Sequence, residues 1–155
     1  MLKTGILNPN LNSLLSRVRH TNTLVIADRG FPFWRELETI DLSLVDDVPR
    51  VLEVLQAIRK NFAIGNAFMA EEFRSVNSPE TRLAFEQALA GVRLSFESHI
   101  EFKKRVPGAI GLIRTGDTIQ YANMILESAY PSEENDRSAA RTAEALALVL
   151  SVWRI

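Results

Sequence analysis

The sequence contains no cysteine, which excludes a disulfide framework, a thiolate nucleophile and a thiolate ligand for zinc. No apolar run approaches the ~20 residues that a membrane-spanning helix needs, and the first residues lack the apolar core and cleavage site of a secretory signal. A formal net charge of -1 gives no bulk attraction to nucleic acid or to an anionic membrane. We therefore expect a soluble, cytoplasmic protein with neither nucleic acid nor membrane as a partner.

The usual motifs of nucleotide, metal and acyl-transfer sites are also missing. The glycines form neither G-x-G-x-x-G nor a phosphate loop, and neither H-E-x-x-H nor G-x-S-x-G occurs. The carboxylate pairs Asp46–Asp47 and Glu71–Glu72 have no histidine at metal-ligand spacing. We expect no cofactor and no metal, and Glu71–Glu72 is at most a weak alternative site.

What the chain does contain is an alternation of helix-like and strand-like segments. Residues 11–18 carry leucine and valine at helical spacing. Thr23–Ala27 is then short and apolar throughout, as strands are when a parallel sheet buries both their faces. The pattern continues to residue 126 and predicts an α/β fold, a three-layer sandwich with a mixed, largely parallel sheet of about six strands flanked by helices.

The composition changes near residue 130. Residues 131–138 are polar, and residues 139–155 are rich in alanine, leucine and valine. We therefore predict an α/β domain over residues 1–129, followed by a polar linker and a C-terminal helical extension over residues 130–155.

Histidine titrates near neutral pH, so His20 and His99, the two histidines of the chain, are the first candidates for acid–base chemistry. His20 is predicted to end the first helix. Asp28 follows the strand Thr23–Ala27, and open α/β sheets bind ligands at the carboxyl ends of their strands. The two side chains could share a cleft. Equally, a lone histidine is more often a surface or core residue, and Asp28 could simply form the turn before Gly30.

Two further pairs carry polar groups that suit a hydroxylated ligand. His99 and Lys103 are four residues apart on a predicted helix and share one face. Tyr121 and Asn123 alternate on a predicted strand and point to the same side. The alternatives are a solvated basic face for the first pair, which the spacing alone favours, and a polar edge strand for the second.

Several separated motifs occur together in a fixed order, and by them the chain resembles the D-ribose pyranase family, which includes the L-fucose mutarotases. They are Gly5–Pro32 (GILNPNLNSLLSRVRHTNTLVIADRGFP), Ile40–Leu44 with Pro49, Ala70–Glu72, His99–Lys103, Ile113–Asp117 and Tyr121–Leu126.

The resemblance implies a mutarotase that interconverts the pyranose and furanose, or the anomeric, forms of a free monosaccharide by acid–base ring opening. It implies no cofactor, a ring-shaped homo-oligomer such as an octamer or decamer, and His20 as the catalytic acid. The alternative on the same fold is a non-catalytic sugar-binding or regulatory protein associated with sugar uptake. The residues that the resemblance implies for sugar binding are Asp28, His99, Lys103, Tyr121, Ala122 through its backbone, and Asn123.

The chain departs from the family pattern beside Asp28, where ribose members have D-A-G-L-P and this chain has Asp28–Pro32 (DRGFP). Arg29, Phe31 and the nearby Trp34 are bulkier than the family residues, which leaves the identity of the sugar open. The aromatic rings could stack on a sugar or pack in the core. Asp28 itself could anchor the sugar or orient His20.

Overall fold

The computed structural model describes residues 3 and 5–131. The predicted C-terminal helix and nearly all of the predicted linker lie outside the described residues. None of the helices in this part of the chain is long and apolar enough to cross a membrane. The helices are α1 (Pro9–Arg17), α2 (Val51–Arg59), α3 (Glu71–Val76), α4 (Pro79–Ala88) and α5 (His99–Arg105). The strands are β1 (Thr23–Ala27), β2 (Thr39–Asp41), β3 (Ile64–Ala70), β4 (Arg93–Glu97), β5 (Gly111–Arg114) and β6 (Met124–Ser128).

The strands of the described chain form one sheet in the order β2-β5-β1-β6-β3-β4. Five of them run in the same direction, and β6 lies antiparallel between β1 and β3. This confirms the predicted mixed, largely parallel sheet. We term the end at which the five parallel strands finish the carboxyl end of the sheet, and the opposite end the amino end. Because β6 is antiparallel, it begins at the carboxyl end.

Both faces of the sheet are covered, which confirms the predicted three layers. Side chains alternate along β1, so Leu24 and Ile26 enter one core cluster while Val25 and Ala27 enter another. Helices α1, α2 and α4 contribute to the first cluster, and α5 contributes the fully buried Phe102 to the second. Burying one such side chain stabilises the fold by about 1.5–3 kcal/mol.

Helix α1 begins and ends earlier than the leucine spacing predicts. The side chain of Asn8 accepts a hydrogen bond from the backbone N–H of Leu11 at 2.9 Å, and Pro9 occupies the first turn. Asn8 is therefore the N-cap of α1. Since α1 ends at Arg17, His20 lies in a turn before β1 rather than at a helix end.

Two other boundaries differ from prediction for local reasons. The strand predicted from Tyr121 begins only at Met124, because Tyr121 adopts a left-handed conformation with a φ of 57°. The second boundary has no counterpart in the sequence prediction: Glu71 and Glu72 open α3 directly after β3, and acidic residues there suit the positive end of the helix dipole.

Candidate active site

A pocket of about 480 Å³ lies at the carboxyl end of the sheet, a size in the range of small-molecule sites. Its walls come from the loops after β1 and β5, the first turns of α5 and the segment before β6. These segments meet because parallel strands finish together and β6 starts where they finish. The predicted residues that the structure brings together here are Asp28, His99, Lys103, Tyr121 and Asn123.

Asp28 and Asn123 hold each other by two reciprocal hydrogen bonds. The backbone N–H of Asp28 donates to Asn123 Oδ1 at 2.8 Å, and Asn123 Nδ2 donates to Asp28 Oδ2 at 2.9 Å. The N–H of Gly30 donates to the other carboxylate oxygen, Oδ1, at 2.9 Å. These bonds set the orientation of the Asn123 amide, since only its oxygen can accept from the backbone. The carboxylate is held at the pocket wall.

Burial raises the pKa of the Asp28 carboxyl above its ordinary 3.8, because desolvation disfavours the charged form. The hydrogen bonds from Asn123 and Gly30 oppose this shift, and the nearby carboxylate of Asp117 adds to it. Asp28 therefore ionises at a higher pH than an exposed aspartate does.

His99 is the first residue of α5, and its backbone N–H is shared by the two carboxylate oxygens of Glu72 at 3.2 and 3.0 Å. Its ring meets the Tyr121 ring edge-on, with the centroids 5.0 Å apart. Burial lowers the pKa of the imidazole, and the charge of Lys103 lowers it further, against opposing effects of Glu72 and Asp28. A neutral imidazole therefore lies in the pocket near physiological pH.

The ring nitrogen Nδ1 of His99 is buried without a hydrogen-bond partner in the described chain. Lys103, one helical turn later, also lines the pocket and makes no ion pair or side-chain hydrogen bond among residues 3 and 5–131. The predicted shared face of His99 and Lys103 thus faces the pocket rather than open solvent. Within the same residues, no group of three or more histidine or acidic side chains could hold a metal ion.

Two polar residues that organise the site were not among the predicted site residues. Asp117, 1% exposed, accepts hydrogen bonds from the backbone N–H of Val51 and of Ile119, both at 2.8 Å, and it lines the pocket. Arg114 donates to the carbonyl oxygens of Phe31 at 2.6 Å and of Arg29 at 3.1 Å. Asp117 comes shortly after β5, with Gly116 between, and Asp28 comes directly after β1. An aspartate soon after a strand is therefore the sequence pattern from which Asp117 could have been predicted.

The bulky residues beside Asp28 take three different positions. Phe31 is 4% exposed, lines the pocket and meets Phe102 edge-on at 6.2 Å between centroids. Arg29 also lines the pocket, and its guanidinium pairs with Asp46. Trp34 is not part of the lining: it packs against the second core cluster.

The structure of one chain does not bring His20 to this pocket. His20 is exposed at the amino end of the sheet, where its ring stacks on Tyr130 with the centroids 4.5 Å apart. All of β1 separates it from Asp28, a path of roughly 15 Å or more at about 3.3 Å per strand residue. Within a single chain, therefore, Asp28 does not orient His20.

Ala122 lies between two pocket residues without lining the pocket itself. Its side chain is fully buried in the first core cluster, and its backbone N–H donates to the carbonyl of Ile119 at 3.3 Å. It links Tyr121, in its left-handed conformation, to the start of β6.

Comparison with known proteins gives a consistent picture over residues 1–130, which match the model of the RbsD / FucU transport protein family. D-ribose pyranase of Geobacillus thermodenitrificans is 41% identical over 128 residues, covering 83% of this chain and 96% of that protein. D-ribose pyranase of Clostridium perfringens is 38% identical over 128 residues, covering 83% of this chain and 97% of that protein.

Solved structures show the same fold. RbsD of Bacillus subtilis complexed with D-ribose superposes with a TM-score of 0.78 at 33% identity, covering 83% of this chain and 98% of that one. The fucose mutarotase of Streptococcus pneumoniae in complex with L-fucose has a TM-score of 0.71 at 20% identity, with coverages of 83% and 98%. At that identity the second likeness concerns the fold alone.

Proposed function

The chain belongs to the RbsD/FucU family, and from this premise we propose that it is a sugar mutarotase. It interconverts the pyranose and furanose, or the anomeric, forms of a free monosaccharide of the ribose or fucose kind. The observation that carries the proposal is the pocket at the carboxyl end of the sheet, where a fixed carboxylate–amide pair faces a neutral imidazole. The relatives named D-ribose pyranase support the same assignment.

The hydrogen-bonding capacity of the pocket suits sugar hydroxyls. Each carboxylate oxygen of Asp28 accepts one hydrogen bond from the protein, and a carboxylate oxygen can accept two. Asn123 Nδ2 carries a second N–H beyond the one given to Asp28. Asp28 therefore offers acceptors and Asn123 a donor to adjacent hydroxyls. Lys103 adds a donor, and the Tyr121 hydroxyl can donate or accept.

Ring opening of a hemiacetal requires a proton to leave the anomeric hydroxyl and a proton to reach the ring oxygen, and closure reverses both transfers. Positioned acid–base groups contribute about 10²–10⁴-fold to such steps. In our proposal His20 is the catalytic acid, and the pocket residues bind and orient the sugar. His20 gives the proton that reaches the ring oxygen, and water accepts the proton that leaves the anomeric hydroxyl. No leaving group departs, because the opened sugar remains one molecule.

Since His20 lies at the amino end of the sheet, it reaches a sugar only in the pocket of another subunit. We propose a homo-oligomer in which the amino end of one chain meets the carboxyl end of the next. Such a contact joins two different surfaces, and repeating it closes a ring when the rotation allows. An octamer or decamer is the assembly that we propose, and the cytoplasm is its proposed location.

The identity of the sugar depends on the residues beside Asp28. Phe31 forms part of the wall, and Arg29, held by Asp46, lies on the rim of the same pocket. Both are larger than the alanine and leucine of the ribose-type pattern. The proposal therefore covers ribose-like and fucose-like sugars. In it, Arg29 and Phe31 determine which of these sugars binds.

The test is saturation-transfer NMR on a panel of free sugars, with ribose and fucose as the first two. The protein is expected to increase an exchange rate between ring forms or anomers of at least one sugar, and His20→Ala is expected to remove that increase. A protein that binds sugars but changes no exchange rate is the non-catalytic binder. Full exchange activity in His20→Ala contradicts the role of His20.

A further inference from the structure

The turn that carries His20 is tied to the end of β6 at the amino end of the sheet. The backbone N–H of Thr21 donates to the carbonyl of Ser128 at 3.1 Å, and the N–H of Ser128 donates to the carbonyl of Asn22 at 2.9 Å. The Ser128 hydroxyl also donates to the carbonyl of Arg19. Because these bonds flank His20 on both sides, the backbone of the turn is fixed relative to β6.

The imidazole itself has much less support. His20 is exposed, and its ring makes no hydrogen bond or ion pair with the described residues. Its aromatic contact is Tyr130, two residues beyond Ser128, whose ring lies 4.5 Å away with an interplanar angle of 25°. Tyr130 is itself 57% exposed and belongs to no core cluster. The stack therefore restrains the imidazole and adds little to the core.

We propose that Tyr130 is a positioning residue, which holds the His20 ring in the orientation from which it reaches the pocket of a neighbouring subunit. This inference rests on the proposed function. An exposed side chain otherwise distributes over several rotamers, and each unproductive one lowers the fraction of subunits ready to transfer a proton. In this role Tyr130 acts on the His20 ring and not on the sugar, so its removal is expected to lower kcat and to leave KM unchanged.

Three variants test this role in the assembled protein. Tyr130→Ala removes the ring, Tyr130→Phe keeps it, and Leu83→Ala removes an exposed apolar side chain on α4 as the matched control. We expect kcat to fall about 3- to 10-fold in Tyr130→Ala, as the energy of an aromatic pair indicates. KM stays at its wild-type value, and Tyr130→Phe and Leu83→Ala retain wild-type kcat. Wild-type kcat in Tyr130→Ala, or an equal loss in Tyr130→Phe, overturns the inference.

A second experiment detects the contact between the His20 and Tyr130 rings by NMR and does not depend on catalytic activity. The chain has two histidines, so the ring proton signals of His20 can be assigned by their absence in His20→Ala. The Tyr130 ring current displaces these signals, and the displacement is expected to vanish in Tyr130→Ala and to persist in Tyr130→Phe. Identical His20 signals in the wild type and in Tyr130→Ala overturn the inference.

Two further results distinguish a failure of this inference from a failure of the proposed function and from a loss of assembly. A wild-type protein without exchange activity on any sugar refutes the proposed function, while the NMR signals still decide whether Tyr130 holds the ring. Size-exclusion chromatography shows whether Tyr130→Ala keeps the wild-type assembly. A loss of activity that comes only from dissociation overturns the positioning role.

Discussion

At the scale of single residues, the pair formed by Asp28 and Asn123 sets the chemistry of the pocket. The Asn123 amide donates a hydrogen bond to the Asp28 carboxylate and accepts one from the Asp28 backbone N–H. The second bond fixes which way the amide faces. A buried polar group left without its partner costs about 1–3 kcal/mol. The pair is therefore sensitive to exchanges that preserve shape and alter only donors and acceptors.

Replacing Asp28 by asparagine is expected to weaken sugar binding about 10-fold or more. Asparagine at position 28 has one oxygen and one NH2 group in place of two carboxylate oxygens. Its NH2 group must face either the NH2 group of Asn123 or the N–H of Gly30, so two donors meet, and acceptor sites for sugar hydroxyls are lost. Calorimetric or NMR titration with the best sugar of the panel measures the loss. The matched control is Glu86→Gln on the exposed side of α4, and wild-type affinity in Asp28→Asn contradicts the role of Asp28.

Sugar affinity is also expected to depend on pH through Asp28. The pKa of this carboxyl is raised, so the acceptor form is lost as pH falls through a value above 3.8. The pKa of His99 is lowered from 6.5, so its ring protonates at a lower pH than a free imidazole does. The dissociation constant should therefore rise with acidity before the circular dichroism of the fold changes.

The Asp28→Asn variant is the control for this pH dependence. The part of the wild-type pH dependence that comes from Asp28 should be absent from this variant, because asparagine does not titrate. A wild-type dissociation constant that stays constant down to pH 3.8 would show that Asp28 does not bind the sugar as a carboxylate.

Several residues of the site could be predicted from the sequence, and the reason lies in topology. Asp28 follows a buried strand, and that local pattern makes it a candidate. For His99 and Lys103 the spacing alone favours a solvated basic face, and the family resemblance selects them. Asp117 was missed because its role depends on the backbone of Val51, 66 positions away. No local pattern carries that contact.

At the scale of elements, the turn after β5 and the loop before α2 depend on a close backbone contact. Asp47 N–H donates to the carbonyl of Gly116 at 2.7 Å, and Gly116 N–H donates to the carbonyl of Pro49 at 2.9 Å. A Cβ on Gly116 would lie 2.2 Å from the carbonyl oxygen of Val45. The same loop provides Asp46 to Arg29 on the rim.

Gly116→Ala is therefore expected to destabilise the protein by about 1–3 kcal/mol, since backbone must move to admit the methyl group. It should also weaken sugar binding, because Asp117 and Thr118 of the pocket wall follow directly. Chemical denaturation measures the first effect. Gly108→Ala is the matched control, because a Cβ there meets nothing within 4 Å. Equal stability of the two variants contradicts this account.

The elements themselves were largely predictable, and the exceptions are instructive. The apolar segment Thr23–Ala27 is a local signal, and its prediction as a strand is confirmed. The insertion of β6 between β1 and β3 was not predictable, because strand order depends on contacts distant in sequence. The left-handed turn at Tyr121 was hidden by the alternating pattern around it.

At the scale of the whole molecule, the two ends of the sheet divide the proposed chemistry. The carboxyl end holds the proposed sugar pocket, and the amino end presents His20 beside Tyr130. Since β1 separates them in one chain, the account requires that each active site combine two subunits. The separation follows from the parallel direction of five strands, and it explains why one chain shows the proposed binding residues without the proposed acid.

Mixing two impaired variants tests this central claim most directly. His20→Ala is expected to lack exchange activity because it has no acid. Asp28→Asn is expected to show little activity at sugar concentrations well below its raised dissociation constant. After the two are unfolded and refolded together in equal amounts, about a quarter of the contacts join an intact His20 to an intact Asp28. The account predicts recovery of roughly that share of the wild-type exchange rate. No recovery, in assemblies shown to be mixed, would contradict a site shared between subunits.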